Sequence, residues 1–318
     1  MAPGAPLIAT ADAPVPEGAS GEWIARPGGA RLRAAFFAPV GRARGSVVLS
    51  GGRTEPVEKY FEVIEELRGR GLAVLAHDWR GQGLSQRRPG ERLKGHGEAH
   101  EHLVDDLTAL VEQYRDRLPP PRLAIGHSMG GCVTLLALAR DRSGVLAGAV
   151  LSAPMLGLRT GPMPPALARL AARVRCILGR GEDYVAEPPI DPFTLPFEGN
   201  HVTHDRVRFA RHRAQLAACP ELALGGPTWS WLDASFAGMA LLAHRERLRA
   251  VEVPVVICAA QRDTVVDNSA LRRAALWLPR GRLVEVPGSR HEILMETDER
   301  RTFFWWAFDD LLASLGDF

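Results

Sequence analysis

Cysteine is scarce in this chain of 318 residues: there are four, Cys132, Cys176, Cys219 and Cys258, and no two stand close enough to form a C-x-x-C pair. Neither a disulfide framework nor a zinc cluster is suggested, since both recur at short spacings, and reduced thiols fit a cytoplasmic setting. An excess of one charge is missing too, with 39 basic against 37 acidic residues and the arginines scattered. Nucleic acid is therefore not an implied partner. No apolar run is long enough to cross a bilayer, and the Ala-, Pro- and Gly-rich first twenty residues have no basic start followed by an apolar stretch. A cytoplasmic protein is expected, with at most peripheral contact at the inner membrane surface. No internal repeat or low-complexity tract is present.

What the sequence does contain is core-forming material, 46% hydrophobic residues against 24% charged, the balance of an ordinary globular protein. Two short strand-like pieces flank Pro27-Gly28-Gly29 between Trp23 and Ala38, the signal of a hairpin. Apolar runs Val47–Ser50, Ala73–Ala76 and Leu123–Ile125 then alternate with helical segments Glu58–Arg68 and Glu101–Arg117. Such alternation predicts an α/β fold, a mostly parallel sheet of about eight strands with helices on both faces. A buried helix over Met129–Arg140 and a strand over Ala147–Leu151 continue the pattern, which stops after Ala153-Pro154 and resumes at Val255–Ala260. The division this predicts is a flexible segment over 1–20, a core over 21–154 and 251–318, and an inserted helical cap over 155–250.

The strand Leu123–Ile125 runs into Gly126-His127-Ser128-Met129-Gly130, the G-x-S-x-G pattern, with the predicted helix directly behind it. A serine on so sharp a strand-to-helix turn takes strained backbone angles and points its hydroxyl out of the sheet, while glycines two places either side avoid collisions with neighbouring backbone. The turn also sets the Met129 N–H at a helix N-terminus, where an amide and a favourable dipole can hold an oxyanion. Ser128 is the candidate nucleophile; the bland alternative is a glycine-rich turn with an incidental serine.

A serine hydroxyl needs a base, and the base an orienting carboxylate, in the chain order Ser, Asp or Glu, His. Asp263 stands just past the strand Val255–Ala260, where open α/β sheets gather their sites. Asp267 is its rival, though its position before Asn268-Ser269-Ala270 reads as a helix N-cap. Of ten histidines only His291 follows Asp263, in a loop between a strand and the last helix, and it is the candidate base. The loop Ser50-Gly51-Gly52-Arg53-Thr54-Glu55 after the first core strand should carry a second oxyanion donor; sequence alone equally permits a plain turn there, or a contact through the Arg53 guanidinium.

These residues resemble the α/β-hydrolases of the monoacylglycerol lipase and bacterial lysophospholipase group, a group also labelled serine aminopeptidase-like. Gly52-Arg53-Thr54-Glu55 with Lys59-Tyr60 is similar to that group's oxyanion loop, Asp78 to Ser85 to its D-x-R-G-x-G-x-S loop, and Gly126 to Gly131 to its elbow. Gly226-Pro227-Thr228-Trp229 with Trp231-Leu232 resembles the cap of the lysophospholipase branch. The resemblance covers nearly the whole chain after residue 20. It implies a serine carboxylic-ester hydrolase acting on monoacyl lipids through an acyl-enzyme, with no cofactor and no metal, and it points to the N–H of Arg53 as the second oxyanion donor. Peptidase, amidase or transacylase chemistry on the same residues, and a non-catalytic ligand carrier, are the alternatives. Many members have His-Gly where this chain has Gly51-Gly52, which leaves a backbone donor intact.

Trp229, Trp231 and Phe236 are candidate substrate-binding residues, since a cap over an acyl pocket must turn apolar surface toward the substrate. The run Phe303 to Trp306 reads instead as core packing. His96, His100 and His102, and His201 with His204, lack a neighbouring cysteine or an H-E-x-x-H frame and read as loop or helix-end residues.

Overall fold

The computed structural model describes residues 4–88, 90–141, 144–187 and 189–316. Eight strands form one sheet: β1 (Ala19–Ala25), β2 (Arg31–Phe37), β3 (Gly45–Ser50), β4 (Leu72–His77), β5 (Arg122–His127), β6 (Gly148–Ser152), β7 (Val255–Ala260) and β8 (Gly281–Val286). They lie in the order β1-β2-β4-β3-β5-β6-β7-β8. The hairpin β1/β2 is antiparallel and β2 pairs antiparallel with β4, whereas β3 to β8 run parallel. Every residue of β3, β4 and β7 is buried. Their unbroken apolar runs follow from that, because a parallel strand covered on both faces has no polar side.

Nine helices complete the described residues: α1 (Phe61–Gly69), α2 (His100–Gln113), α3 (Met129–Arg140), α4 (Pro165–Ile177), α5 (Arg206–Ala218), α6 (Trp229–Leu242), α7 (Arg245–Arg249), α8 (Asn268–Trp277) and α9 (Asp298–Ser314). Helix α3 is buried from Met129 to Ala139, which its lack of a polar stripe anticipates. After β3 the chain passes to β4 on one side and then to β5 on the other. The strand order therefore reverses between β3 and β5, and open α/β sheets carry their ligand crevice at the carboxyl ends of strands at such a point.

Among the described residues four α-helices, α4 to α7, and no strand lie between β6 and β7. They do not all form a separate unit. Leu232, Phe236, Met239 and Leu242 of α6 belong to the main core, while Leu216 of α5 packs in a small cluster with Leu222 and Ala223.

Two expectations differ from what is observed. Residues 4–18, expected to be flexible, lie against the core: the Ala5 N–H donates to Gly21 O at 2.9 Å, the Ile8 N–H to Glu58 Oε1 at 3.1 Å, and Ala5 and Ala13 are buried. Small side chains let an extended segment lie flat without any apolar periodicity to announce it. In α9, Phe304 and Trp305 are core residues as expected, but Phe303 and Trp306 are exposed, Trp306 by 58%. Four consecutive helical residues span the full circumference, so all four cannot face one core.

Candidate active site

Ser128 sits between the last residue of β5 and the first of α3 with φ 49° and ψ −114°, a conformation that costs of order 1–3 kcal/mol and persists only where its surroundings enforce it. They do so here. The Ser128 N–H donates to Ser152 O at 3.0 Å, and Ser128 O accepts from Cys132 N at 3.1 Å and Met155 N at 2.8 Å. A Cβ at Gly130 would lie 2.2 Å from Ser50 O, and one at Gly126 would lie 2.7 Å from Gly131 Cα. Gly130 is therefore demanded by the close approach of β3 to α3, and Gly126 by the close approach of α3 to the end of β5.

The loop after β8 brings His291 Nε2 to 3.0 Å from Ser128 Oγ, and its Nδ1 to 2.8 Å from Asp263 Oδ2. The other Asp263 oxygen accepts from Val265 N at 2.7 Å and Val266 N at 2.9 Å. Burial works against the Asp263 carboxylate, but the hydrogen bond and charge of His291 and these two amides hold its pKa below the ordinary value. An ionised carboxylate only accepts, so the imidazole proton sits on Nδ1, and Nε2 is left to accept from the serine hydroxyl. Asp267 does cap α8, accepting from Ser269 N at 3.0 Å.

The loop after β3 is braced from three sides. Trp79 Nε1 donates to Gly51 O at 2.7 Å, the Thr54 N–H donates to Gln82 Oε1 at 2.9 Å, and the Gly52 N–H donates to the Glu55 carboxylate. The bracing loop is the D-x-R-G-x-G-x-S stretch, itself organised on Asp78, whose oxygens accept from Val57 N, Leu84 N and Arg33 Nε at 2.7–3.0 Å. A Cβ at Gly83 would fall 2.1 Å from Asp78 Oδ2. The glycine is what allows the chain to wrap its own carboxylate.

Sequence reasoning left Glu55 and His127 without roles. Glu55 is buried and accepts from Tyr60 OH at 2.6 Å, Lys59 Nζ at 2.7 Å and His127 Nδ1 at 2.8 Å, while His127 Nε2 lies 3.3 Å from the main-chain oxygen of His291. Carboxylate and carbonyl can both only accept, so the two contacts suit a His127 ring that carries a proton on each nitrogen. Burial alone would lower its pKa, but the Glu55 charge outweighs it and the pKa is raised. Glu55 is held well below the ordinary range by His127 and Lys59 despite its burial. The same ion cluster thus ties the β3 loop to the backbone of the His291 loop, and the G-x-S-x-G pattern left its second position open, which concealed this.

A tight cleft with about 30 Å³ of free volume is lined by Met129, Cys132, Leu136, Met155 and Trp231 together with Arg80, His96 and Glu98, among others. A larger cavity of about 250 Å³ is bordered by Arg53, Glu292, Leu195, Leu224 and Met295 with other residues of the α5 region. Arg53 borders the larger cavity while its guanidinium carbon lies 5.2 Å from the centre of the Trp231 ring. Of the three cap aromatics expected near substrate, Trp231 lines the cleft; Phe236 is in the main core, and the Trp229 ring is covered by the Arg175 guanidinium at 5.4 Å. Helix periodicity explains the split, since residues two and five positions from Trp231 project from other sides of α6. Among the described residues no group of three or more His, Cys, Asp or Glu is placed to hold a metal.

Residues 41–298 match the model of the family described as serine aminopeptidase, S33. The chain is 34% identical over 269 residues to lysophospholipase L2 of Escherichia coli, covering 80% of this chain and 76% of that one. It is 26% identical over 286 residues to a monoacylglycerol lipase of Mycolicibacterium smegmatis, covering 86% and 90%. A monoglyceride lipase of Saccharomyces cerevisiae has a similar fold, with a TM-score of 0.72 at 22% identity over 92% of this chain and 95% of that one. The chain therefore belongs to the serine aminopeptidase S33 family and has the α/β-hydrolase fold.

Proposed function

We propose that this protein hydrolyses carboxylic esters of monoacyl lipids by two-step acyl transfer. The observation that carries the reading is the unbroken line from Ser128 Oγ through the His291 ring to Asp263, at 3.0 and 2.8 Å. In this reading Ser128 attacks the ester carbonyl as His291 Nε2 takes its proton, Asp263 steadies the imidazolium, and His291 returns the proton to the leaving alcohol. Water, activated by the same ring, then releases the fatty acid. The oxyanion is assigned to the N–H groups of Met129 and Arg53, each such donor contributing roughly a hundredfold or more to turnover. The monoacyl lipid class is drawn from the relatives, a lysophospholipase and a monoacylglycerol lipase.

We take residues 155–250 as a cap inserted between the two core segments 21–154 and 251–318. Its helix α4 buries Ala168 and Ala172 and exposes Leu167, Leu170, Val174 and Ile177, the last by 71%, with Arg169, Arg173 and Arg175 interspersed. An apolar stripe at helical spacing beside arginines suits an anionic lipid surface, and we assign peripheral membrane contact to it. Among the described residues no helix is long and apolar enough to cross a membrane. The double substitution Leu167→Glu with Leu170→Glu is expected to reduce co-sedimentation with phosphatidylglycerol vesicles by about tenfold or more, given about 1.5–3 kcal/mol per buried leucine. Unchanged sedimentation would remove α4 from the contact.

The function itself is tested by fatty-acid release from lysophospholipids, monoacylglycerols and p-nitrophenyl esters compared side by side. Release from monoacyl lipids is expected. A protein inert toward this panel and toward amide and peptide substrates would be a carrier rather than an enzyme, and cleavage of amide or peptide bonds alone would move it to the aminopeptidase activity of the family name.

A further inference from the structure

Arg53 presents a side chain that the proposed reaction does not use, since only its backbone N–H is assigned there. Its Nη2 donates to Gly225 O at 2.7 Å and Gly226 O at 2.8 Å, and its Nε is buried without a partner. Among the described residues no carboxylate forms an ion pair with it. The other cations bordering the cavity are occupied: Lys59 is shared by Glu55 and Glu292, Arg208 by Glu62, Asp205 and Asp298, and Arg213 is held by the Leu195 and Phe193 carbonyls. Burial without a counter-ion, with Arg87 nearby adding to the effect, draws the Arg53 pKa down to about 9, which still leaves it charged at neutral pH. A partly buried cation with an unpartnered donor and no anion beside it is suited to bind one.

We propose that the Arg53 guanidinium binds the phosphate of a lysophospholipid head group, so that one residue grips the substrate at two points, the scissile carbonyl through its N–H and the phosphate through its side chain. The inference rests on the ester-hydrolase reading above and adds the head group to it. Dimensions agree. An extended arginine side chain carries its guanidinium about 6 Å from its Cα, and the phosphorus of a 1-acyl lysophospholipid lies roughly six bonds, about 7 Å, from the ester carbonyl carbon. The cleft beside Met129 offers Cys132, Val133, Leu136 and Met155 to the acyl chain, although Arg80, His96 and Glu98 also line it and at about 30 Å³ it must widen to take the chain. The larger cavity carries Arg53 and, one residue beyond His291, the Glu292 carboxylate, which is already paired with Lys59. A phosphodiester would settle at the Arg53 end and keep clear of Glu292. A monoacylglycerol has only a hydroxyl to offer at that position and leaves the guanidinium unpaired.

The test compares wild type, Arg53→Met and Arg53→Lys on a decanoyl lysophosphatidylethanolamine and on monodecanoylglycerol, both below their micellar concentrations. The ratio of kcat/KM for the phospholipid to kcat/KM for the glyceride is expected to fall at least about tenfold in Arg53→Met and to be largely restored in Arg53→Lys, because the charge-assisted contact is the part removed and returned. Calorimetry with the Ser128→Ala protein is expected to detect sn-glycerol 3-phosphate but not glycerol, with the phosphate signal lost when Arg53→Met is added. If Arg53→Met slows both substrates equally, or glycerol 3-phosphate does not bind, the side chain is only a strap on the Gly225 and Gly226 carbonyls and the inference is overturned. A wild type that cleaves the glyceride and ignores the phospholipid also overturns it while leaving the hydrolase reading intact. One that cleaves neither removes both.

Discussion

The Ser128→Ala protein is expected to lose roughly five to six orders of magnitude in kcat on every ester that the wild type cleaves, with its fold unchanged. The size of the loss follows from cooperation. In the proposed reaction His291 and Asp263 act only by taking and steadying the serine proton, so removing Oγ leaves them nothing to do, and the residual rate is what amide donors and binding give to direct attack by water. The fold survives because alanine removes a single oxygen whose partner is His291 Nε2, while the backbone hydrogen bonds to Ser152 O and from Cys132 and Met155 N that impose the strained turn are untouched. Circular dichroism and the unfolding midpoint should match wild type within about 1 kcal/mol, the usual net worth of one hydrogen bond. A variant that retains a tenth of its activity would mean that another group carries the acyl chain.

The second large effect separates two aspartates four positions apart. Asp263→Asn is expected to lower kcat by about 10⁴-fold, because the asparagine amide can donate to Nδ1 and so favours the tautomer with its proton on Nε2, which can no longer accept from the serine. Asp267→Ala, which removes the rival carboxylate, is expected to cost about 1 kcal/mol of stability through the lost cap of α8 and to leave kcat within about twofold. Steady-state kinetics with urea unfolding of both proteins decides the matter. A large kinetic loss in Asp267→Ala with a mild one in Asp263→Asn would exchange the two roles.

Those two aspartates also show how far sequence carries. Asp267 was readable because an N-cap is a local arrangement, with Ser269 N reached two residues on. That Asp263 and His291 converge on Ser128 was readable from chain order and from their places after β7 and β8, since a parallel sheet delivers successive loops to one edge. The buried strands announced themselves as unbroken apolar runs, and Ser128 through glycines that the close approach of α3 to β3 and to the end of β5 requires.

Side-chain contacts between distant loops left no such trace. Glu55 and Lys59 stand four residues apart, but nothing in the spacing says that His127 and Glu292 join them in one ion cluster, because those pairings are set by the closure of the sheet rather than by a period along the chain. The packed segment before β1 was missed for the opposite reason: alanine and proline held by scattered backbone bonds give no periodic signal. The insertion read as a separate helical unit because its strands are missing, yet α6 completes the main core, and whether an apolar helix face meets its own unit or a neighbouring one is not written in its amphipathicity.

The most direct measurement is peptide mapping by mass spectrometry after treatment with a fluorophosphonate. One adduct per chain is expected, on the Ser128 hydroxyl, formed in step with the loss of esterase activity and slowed when Asp263 is replaced by asparagine. An enzyme that stays fully active with Ser128 modified, or that is inactivated by an adduct elsewhere while Ser128 stays free, would contradict it.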